Sequence, residues 1–412
     1  MTSTIEDQLP NLLPLYYKRV FPSAEFHRWL SYGKAETFSR REISFTLFGD
    51  IYLRYQSFDT CQDFLNQLIK KYPIKIDIGA IYGFKPKDQT RFKILKPKLK
   101  EIVFDIDMTD YDNIRNCCSG ANVCSKCWKF LVIAAKSIDL TLREDFDFQH
   151  VLWVFSGRRG IHAWVCDQTA RECDDNERSA IAEYFNIFDN SMSNGKTVRL
   201  PGNISTKIRR DLEIIDKHFR SIIEEQDILG TAERLDKFMN FIEGDIKAPI
   251  KERMSSVEGS WARWEIFNNT FLHMCQKNEV PRYGKNLVEE LKLQLCYPRL
   301  DIHVTKGTNH LLKAPFCIHP KTGKVCIPFS IKQVDSFNPN KVPTLDLIIK
   351  EVDTYDKKSK EQGDCPDVEE ELPSKKPKIK DYRKTSLLKP VNLFMMFIKN
   401  LEKDCNIESS SR

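Results

Sequence analysis

The sequence predicts a mixed α/β fold in which a sheet domain is interrupted by a helical subdomain. Short stretches between Glu42 and Asp167 are rich in β-branched and aromatic residues, with apolar and polar positions alternating. From about Gln168 the texture changes to long charged stretches with apolar residues at helical spacing. Near residue 296 strand character returns, so the chain is expected to leave the sheet domain near 168 and rejoin it near 296.

In chain order, Leu9, Leu12, Leu13, Tyr16 and Val20 lie near helical spacing, but Pro10, Pro14 and Pro22 interrupt them, which predicts short helices. "EISFTLFGDIYLRYQSF", from Glu42, alternates on both sides of Gly49-Asp50 as a β-hairpin does. "YPIKIDIGAIYG" and "LKEIVFDIDMTD" repeat the strand pattern. "VLWVFSGRRGIHAWVCD" reads as two strands joined by a glycine-flanked turn. "NERSAIAEYFNIF", "DLEIIDKHFRSIIEEQDIL" and "NLVEELKLQLC" read as helices, and "CYPRLDIHVT" and "KVCIPFSI" as strands. "DTYDKKSKEQGDCPDVEEELPSKKPK", after Glu351, has almost no bulky apolar residue and is expected to be a disordered linker. "SLLKPVNLFMMFIKNLEK" closes the pattern as a short amphipathic helix.

The 412 residues, 41% of them hydrophobic, can bury a substantial core. No run of about 18 apolar residues occurs, and the first residues lack a basic start followed by an apolar stretch, so a soluble, unsecreted protein without membrane contact is expected. Thirteen cysteines, scattered except for one tight group, argue for a reducing compartment and one metal site instead of a disulfide framework. Net charge is only +6, but Lys75 to Lys100 holds eight basic residues interleaved with Tyr82, Phe84 and Phe92, a composition suited to a polyanion. "KKPKIKDYRK", Lys375 to Lys384, has the composition of a nuclear address and equally of a solvated linker.

Asp105 and Asp107 stand at i and i+2 of a strand, so both carboxylates leave the same face with Cα atoms about 6.6 Å apart. Phe104, Ile106 and Met108, on the other phase, can face the core. Two carboxylates that close repel unless a cation lies between them, and hard oxygen ligands suit Mg²⁺ or Mn²⁺. A bare D-x-D also occurs as a polar strand end, so the neighbouring motifs matter. In "SGRRGIH" the small residues let backbone approach a ligand, Arg158 and Arg159 match phosphate oxygens, and His162 adds a donor or a cation. Asp301, in a strand-like context, completes a three-carboxylate set, while His310, Lys313 and His319 supply polar or cationic groups for a triphosphate. Cys117, Cys118, Cys124 and Cys127 are spaced C-C-x5-C-x2-C, which suits a closed, structural Zn²⁺ site of four thiolates.

These residues resemble one family. "VFDIDMTDYD", the cysteine loop behind it, "SGRRGIHAWVCD" and "PRLDIHVTKGTNHLLKAPFCIHPKTG" are similar to motifs of the small, catalytic subunit of archaeo-eukaryotic DNA primases, in its eukaryotic form. "IYLRYQSF" and "KIDIGAIY" extend the likeness over most of residues 1–352. The resemblance implies a mixed α/β primase fold: residues 1–168 and 296–352 as catalytic parts, the zinc loop at 117–127, an inserted helical subdomain at 169–295, a linker at 353–384 and a tail at 385–412. It implies two Mg²⁺ or Mn²⁺ ions on Asp105, Asp107 and Asp301, and a structural Zn²⁺ on Cys117, Cys118, Cys124 and Cys127. It also implies an incoming nucleotide held by Ser156, Arg158, Arg159, His162, Lys313 and His319, with Asp77, Arg54 and Glu42 lining the same site. The implied activity is RNA primer synthesis from ribonucleoside triphosphates on a single-stranded DNA template. The implied setting is the nucleus, beside a larger iron–sulfur subunit and DNA polymerase alpha. A glycosyltransferase using D-x-D, a non-catalytic nucleic-acid-binding subunit and a repair-type polymerase of the same superfamily are the rival readings.

Overall fold

Two antiparallel sheets lie at the centre of the structure, a computed structural model that describes residues 5–189, 195–280, 284–361 and 380–410. In the first, β1 (Arg41–Thr46), β2 (Tyr52–Gln56), β3 (Lys75–Tyr82) and β4 (Pro97–Leu99) run in the order β2-β1-β3-β4. The second has the order β5-β7-β6, built from β5 (Ile102–Asp107), β6 (Val151–Phe155) and β7 (Gly160–Val165). A two-residue strand, β8 (Leu312–Lys313), returns late in the chain to pair with β3.

The mixed α/β class, the hairpin and the three-strand pattern through Asp107, Phe155 and Val165 are as the sequence predicts. β1 and β2 pair antiparallel, and both turn residues, Gly49 (φ +73°) and Asp50 (φ +56°), occupy the left-handed region that a tight hairpin needs. In β5, Phe104 and Ile106 are fully buried while Asp105 and Asp107 are half-exposed, so the alternation in the sequence is the alternation of the faces.

Other elements differ from expectation. The first helix runs unbroken from Ile5 to Arg19 with Pro10 and Pro14 inside it. Its buried face of Leu9, Leu13, Tyr16 and Tyr17 outweighs the lost hydrogen bonds, each such side chain contributing about 1.5–3 kcal/mol on burial. "LDIHVT" is not a strand: Asp301 caps a short helix, Ile302–Lys306. Asp301 favours that form because its side chain accepts from the His303 N–H (3.1 Å). "KVCIPFSI" carries isolated bridges only, such as Val154 to Pro328, among the described residues. Residues 353–361 extend the helix Leu345–Glu361, and Asp381–Lys384 forms a helical turn whose Lys384 is ion-paired to Asp356 (2.8 Å). The rest of the linker, 362–379, lies outside the described residues, as does the first half of the basic run.

The helix Ser125–Glu144 packs along the helix Thr206–Glu225, and three tryptophans, Trp29, Trp153 and Trp164, are fully buried around the second sheet. The helix Leu388–Ser410 closes over Trp29 through Phe394 (ring centroids 5.7 Å). The two sheets are joined by a buried ion pair: Arg41, from β1, donates to both oxygens of Glu101 (2.7 and 2.8 Å), one residue before β5. Burial alone would raise the Glu101 carboxyl, but Arg41 and the Tyr32 hydroxyl pull it down to about 2. Such a pair fixes how the sheets meet more than it adds net stability.

Candidate active site

Residues of both sheets line one cavity of about 290 Å³: Lys75 and Lys313 from the first, Asp105, Asp107 and His162 from the second. The second sheet supplies the acids by register: Asp105 of β5 stands opposite His162 of β7, and Asp107 opposite Gly160. Opposed residues share a face, so the acid pair and His162 point together. Gly160 is required there, because a Cβ would lie 2.6 Å from the Ile106 carbonyl oxygen. The first sheet supplies a cation, since Lys313 of β8 pairs with Asp77 of β3.

The turn between β6 and β7 forms one wall. The Gly160 N–H donates to the Ser156 hydroxyl (3.0 Å), and Gly157 sits at φ +89° with no room for a side chain: a Cβ would meet His319 Cβ at 2.7 Å. Arg159 is turned inward and donates through Nε to both oxygens of Asp107 (2.8 and 2.9 Å). Arg158 has no acidic partner among the described residues and lines the same cavity. Lys313 Nζ donates to the Ser156 carbonyl at 3.3 Å.

Burial, then Asp107 and Asp301, pushes the Asp105 carboxyl up to about 6, against Lys313 and His310. Asp107 is lowered instead: burial opposes this, but the Thr109 N–H and Arg159 outweigh it. His162 and His319 are both lowered to about 3, by burial first and by Lys313 second. They are therefore neutral at ordinary pH, hydrogen-bonding groups and not cations. The Nδ1 atoms of both rings are buried without a partner among the described residues.

Nine of the residues named from the sequence line this cavity: Asp105, Asp107, Ser156, Arg158, Arg159, His162, His310, Lys313 and His319. Asp301 does not. It lines an adjoining space of about 460 Å³ with Asp110 and Arg299, and is tied to β5 by its N–H on the Asp105 carbonyl (3.3 Å). Its charge nevertheless reaches Asp105. Asp77 is buried behind Lys313, with the Ser44 hydroxyl at 3.4 Å and Lys75 Nζ at 3.0 Å. Glu42 and Arg54 turn to each other: Arg54 Nε donates to Glu42 (2.7 Å), Tyr82 donates to its other oxygen (2.9 Å), and Arg54 reaches the Asn309 carbonyl (2.9 Å). They brace the segment before His310 instead of lining the cavity.

Lys75 and Asp110 escaped the sequence reading. Lys75 lines the cavity, and its signal was K-I-D in β3, the same i, i+2 spacing as the acid pair. Asp110 is pushed up to about 6 by burial, then by Asp107, Asp105 and Asp301, so it belongs to the same acidic cluster. The third acid of "DIDMTD" was its signal.

Behind β5 the cysteine loop closes on itself. The ligand atoms of Cys117, Cys118, Cys124 and Cys127 all lie within 4.8 Å of one another, with Cys117 and Cys124 sulfurs 3.5 Å apart. A tetrahedron of sulfurs about 2.3 Å from Zn²⁺ has edges of about 3.8 Å, so the four fit that ion. The thiols are not all ready to ionise without it. Burial opposes a charge at Cys124, but the Cys127 N–H and the neighbouring thiols lower it to about 7, while burial pushes Cys118 up to about 11 and Cys127 to about 12. Arg115, fully buried, fixes the loop by donating to Asp112 (2.6 Å), Asn122 (2.8 Å) and Gly120 (2.8 Å). Gln226 ties it to the helical region by accepting from the N–H groups of Asn116 (2.9 Å) and Cys117 (3.3 Å).

The family model described as DNA primase small subunit matches residues 104–331, which spans β5, the cysteine loop, the β6–β7 turn, Asp301, Lys313 and His319. A Drosophila melanogaster protein named DNA primase small subunit is 45% identical, covering 96% of this chain and 92% of its own length. Proteins of the same name from Caenorhabditis elegans and Saccharomyces cerevisiae are 38% and 36% identical, each over 84% of this chain and covering 88% and 87% of their own lengths. The chain therefore belongs to the DNA primase small subunit family.

Proposed function

We propose that this chain is a template-directed nucleotidyltransferase that makes RNA primers on single-stranded DNA. The observation that carries the reading is the cavity itself: the acids of β5 share one space with Lys313 and Lys75 from the other sheet and with Arg158 and Arg159 from the β6–β7 turn. Divalent Mg²⁺ or Mn²⁺ held by Asp105, Asp107 and Asp301 would activate the attacking 3′-hydroxyl and steady the departing pyrophosphate. The cations then neutralise triphosphate charge, and the neutral His162 and His319 donate hydrogen bonds from buried positions. Arg159, ion-paired to Asp107, would present its guanidinium to the triphosphate beside the metal-binding acids. Asp77, Glu42 and Arg54 hold the sugar side of the site from behind. Residues 1–168 and 296–352 act as one catalytic unit, with 169–295 as an insertion.

The rivals explain less. A D-x-D glycosyltransferase leaves the third acid and the thiolate loop without a purpose, and a non-catalytic subunit leaves the unpaired cations beside the acids without one. The eukaryotic relatives are named as small subunits, and we assign the chain a nuclear setting beside a larger primase subunit carrying an iron–sulfur cluster and beside DNA polymerase alpha.

The test is incorporation of labelled ribonucleotide on a complementary homopolymer template, with Mg²⁺ or Mn²⁺, with and without a primer. Metal-dependent, template-matched product that disappears in Asp107→Ala supports the reading. No product from folded, zinc-loaded protein in either condition removes it, and a preference for deoxynucleotides points to the repair-type relative.

A further inference from the structure

We infer that Arg91–Lys98 and the groove beside it carry the single-stranded template, with its phosphates along Arg91, Lys93, Lys96 and Lys98. The inference rests on the polymerase reading above and locates one of its substrates. All four side chains are exposed, and none has an acidic partner among the described residues. Their neighbours Lys85 and Lys87 are different: both are ion-paired to Asp59, at 2.6 and 2.8 Å. The uncompensated charge is thus confined to the later part of the segment.

Apolar groups are set between these cations. Phe92 is 44% exposed and Ile94 79% exposed, large values for such residues. Phe92 is held in place by stacking on Phe84, with centroids 3.9 Å apart and planes at 16°. A fixed, half-exposed ring among free cations suits a strand that offers both phosphates and unpaired bases.

The adjoining groove, about 680 Å³, has unlike walls. One is Ile94 to Lys98. The other carries Asp174, Asp175, Thr308 and Asn309, with Thr308 donating to Asp175 at 3.0 Å. A duplex would bring phosphates to both walls, and the acids would repel one of its strands. A single strand can lay its phosphates on the cationic wall and turn the hydrogen-bonding edges of its bases to the other. The groove also ends in the right place. Asn309 accepts from Arg54, and the next residue, His310, lines the nucleotide cavity.

The test compares wild type with the variant R91S/K93S/K96S/K98S, and with K96E/K98E, for binding of a labelled single-stranded oligodeoxynucleotide over a series of salt concentrations. We expect affinity to fall about tenfold or more, and the slope of log affinity against log salt to flatten by about 0.7 for each phosphate no longer neutralised. In turnover, KM for template should rise while KM for nucleotide holds. Unchanged affinity and slope, in variants that melt like wild type and in a wild type that incorporates nucleotide, overturn the groove alone. An equal loss of binding to an acidic polypeptide overturns the template assignment in favour of a general polyanion surface. A wild-type chain that neither binds the strand nor incorporates nucleotide overturns both readings.

Discussion

The cavity around Asp105 and the cysteine loop begin within a dozen residues of each other, yet they are built on opposite terms. In the cavity, polar atoms are left without partners among the described residues: the Nδ1 atoms of His162 and His319 have none, Arg158 has no acidic partner, and burial with Asp107 and Asp301 pushes the Asp105 carboxyl up to about 6. In the loop, Arg115 and Gln226 saturate the backbone around the four sulfurs. A site whose ligands come and go has to keep its bonds unmade until they arrive. An ion held by these four thiolates would be built into the fold, so its binding energy would be folding energy.

The largest test of that contrast sets Asp105→Asn against Cys127→Ala. Asp105→Asn is expected to reduce incorporation roughly a thousandfold or more. Its folded pKa is raised, so its contribution to stability declines as pH rises from the usual carboxylate range through about 6. The amide removes that penalty, and the melting temperature at neutral pH should rise. Cys127→Ala, or zinc removal by a chelator, should do the reverse: a loss on the order of 3 kcal/mol in denaturant unfolding, with the activity of the surviving folded fraction much less affected. If both variants lowered stability, the division between the two sites would collapse.

A smaller effect sharpens the picture of the cavity wall. Gly157→Ala has to place a Cβ at φ +89° and against His319, so the turn and the histidine must both shift. A displacement of that kind is expected to lower kcat/KM about a hundredfold while melting changes little. Smaller again is the pH response. Protonation of Asp105 competes with the divalent ion, so apparent Mg²⁺ affinity should fall about tenfold per pH unit below about 6 and level off above it. A calorimetric titration that gave the same affinity at pH values on both sides of that point would show that Asp105 is not a ligand.

Much of this was legible in the residues. The D-x-D phase in β5, the S-G-R-R-G turn and the cysteine spacing are local patterns, and a strand's two-residue period fixes which side chains share a face. Asp301 was the harder case. It was named as an acid but placed on a strand, because "LDIHVT" has β-branched residues and its helix is only five residues long, below what periodicity can detect. Pro10 and Pro14 misled for the complementary reason: local propensity opposes a helix there and burial overrides it. Glu42 and Arg54 were placed in the nucleotide site by the resemblance alone, since whether a charged pair faces a ligand or its own partner depends on hydrogen bonds with Tyr82 and Asn309 far along the chain. Lys75 and Asp110 were visible as letters, but each stands close to an acid whose own signal is stronger.

The N–H of Asp301 on the carbonyl of Asp105, with Thr305 donating to the Val103 carbonyl (2.8 Å), seals the outer edge of β5 with a helix that arrives 194 residues after Asp107. During synthesis the first two acids leave the ribosome long before the third exists. A chain arrested anywhere in between has an open strand edge and an incomplete acidic cluster. Chemistry on this scaffold is thereby withheld until almost the whole catalytic unit has been made, an ordering in time that the connectivity alone enforces.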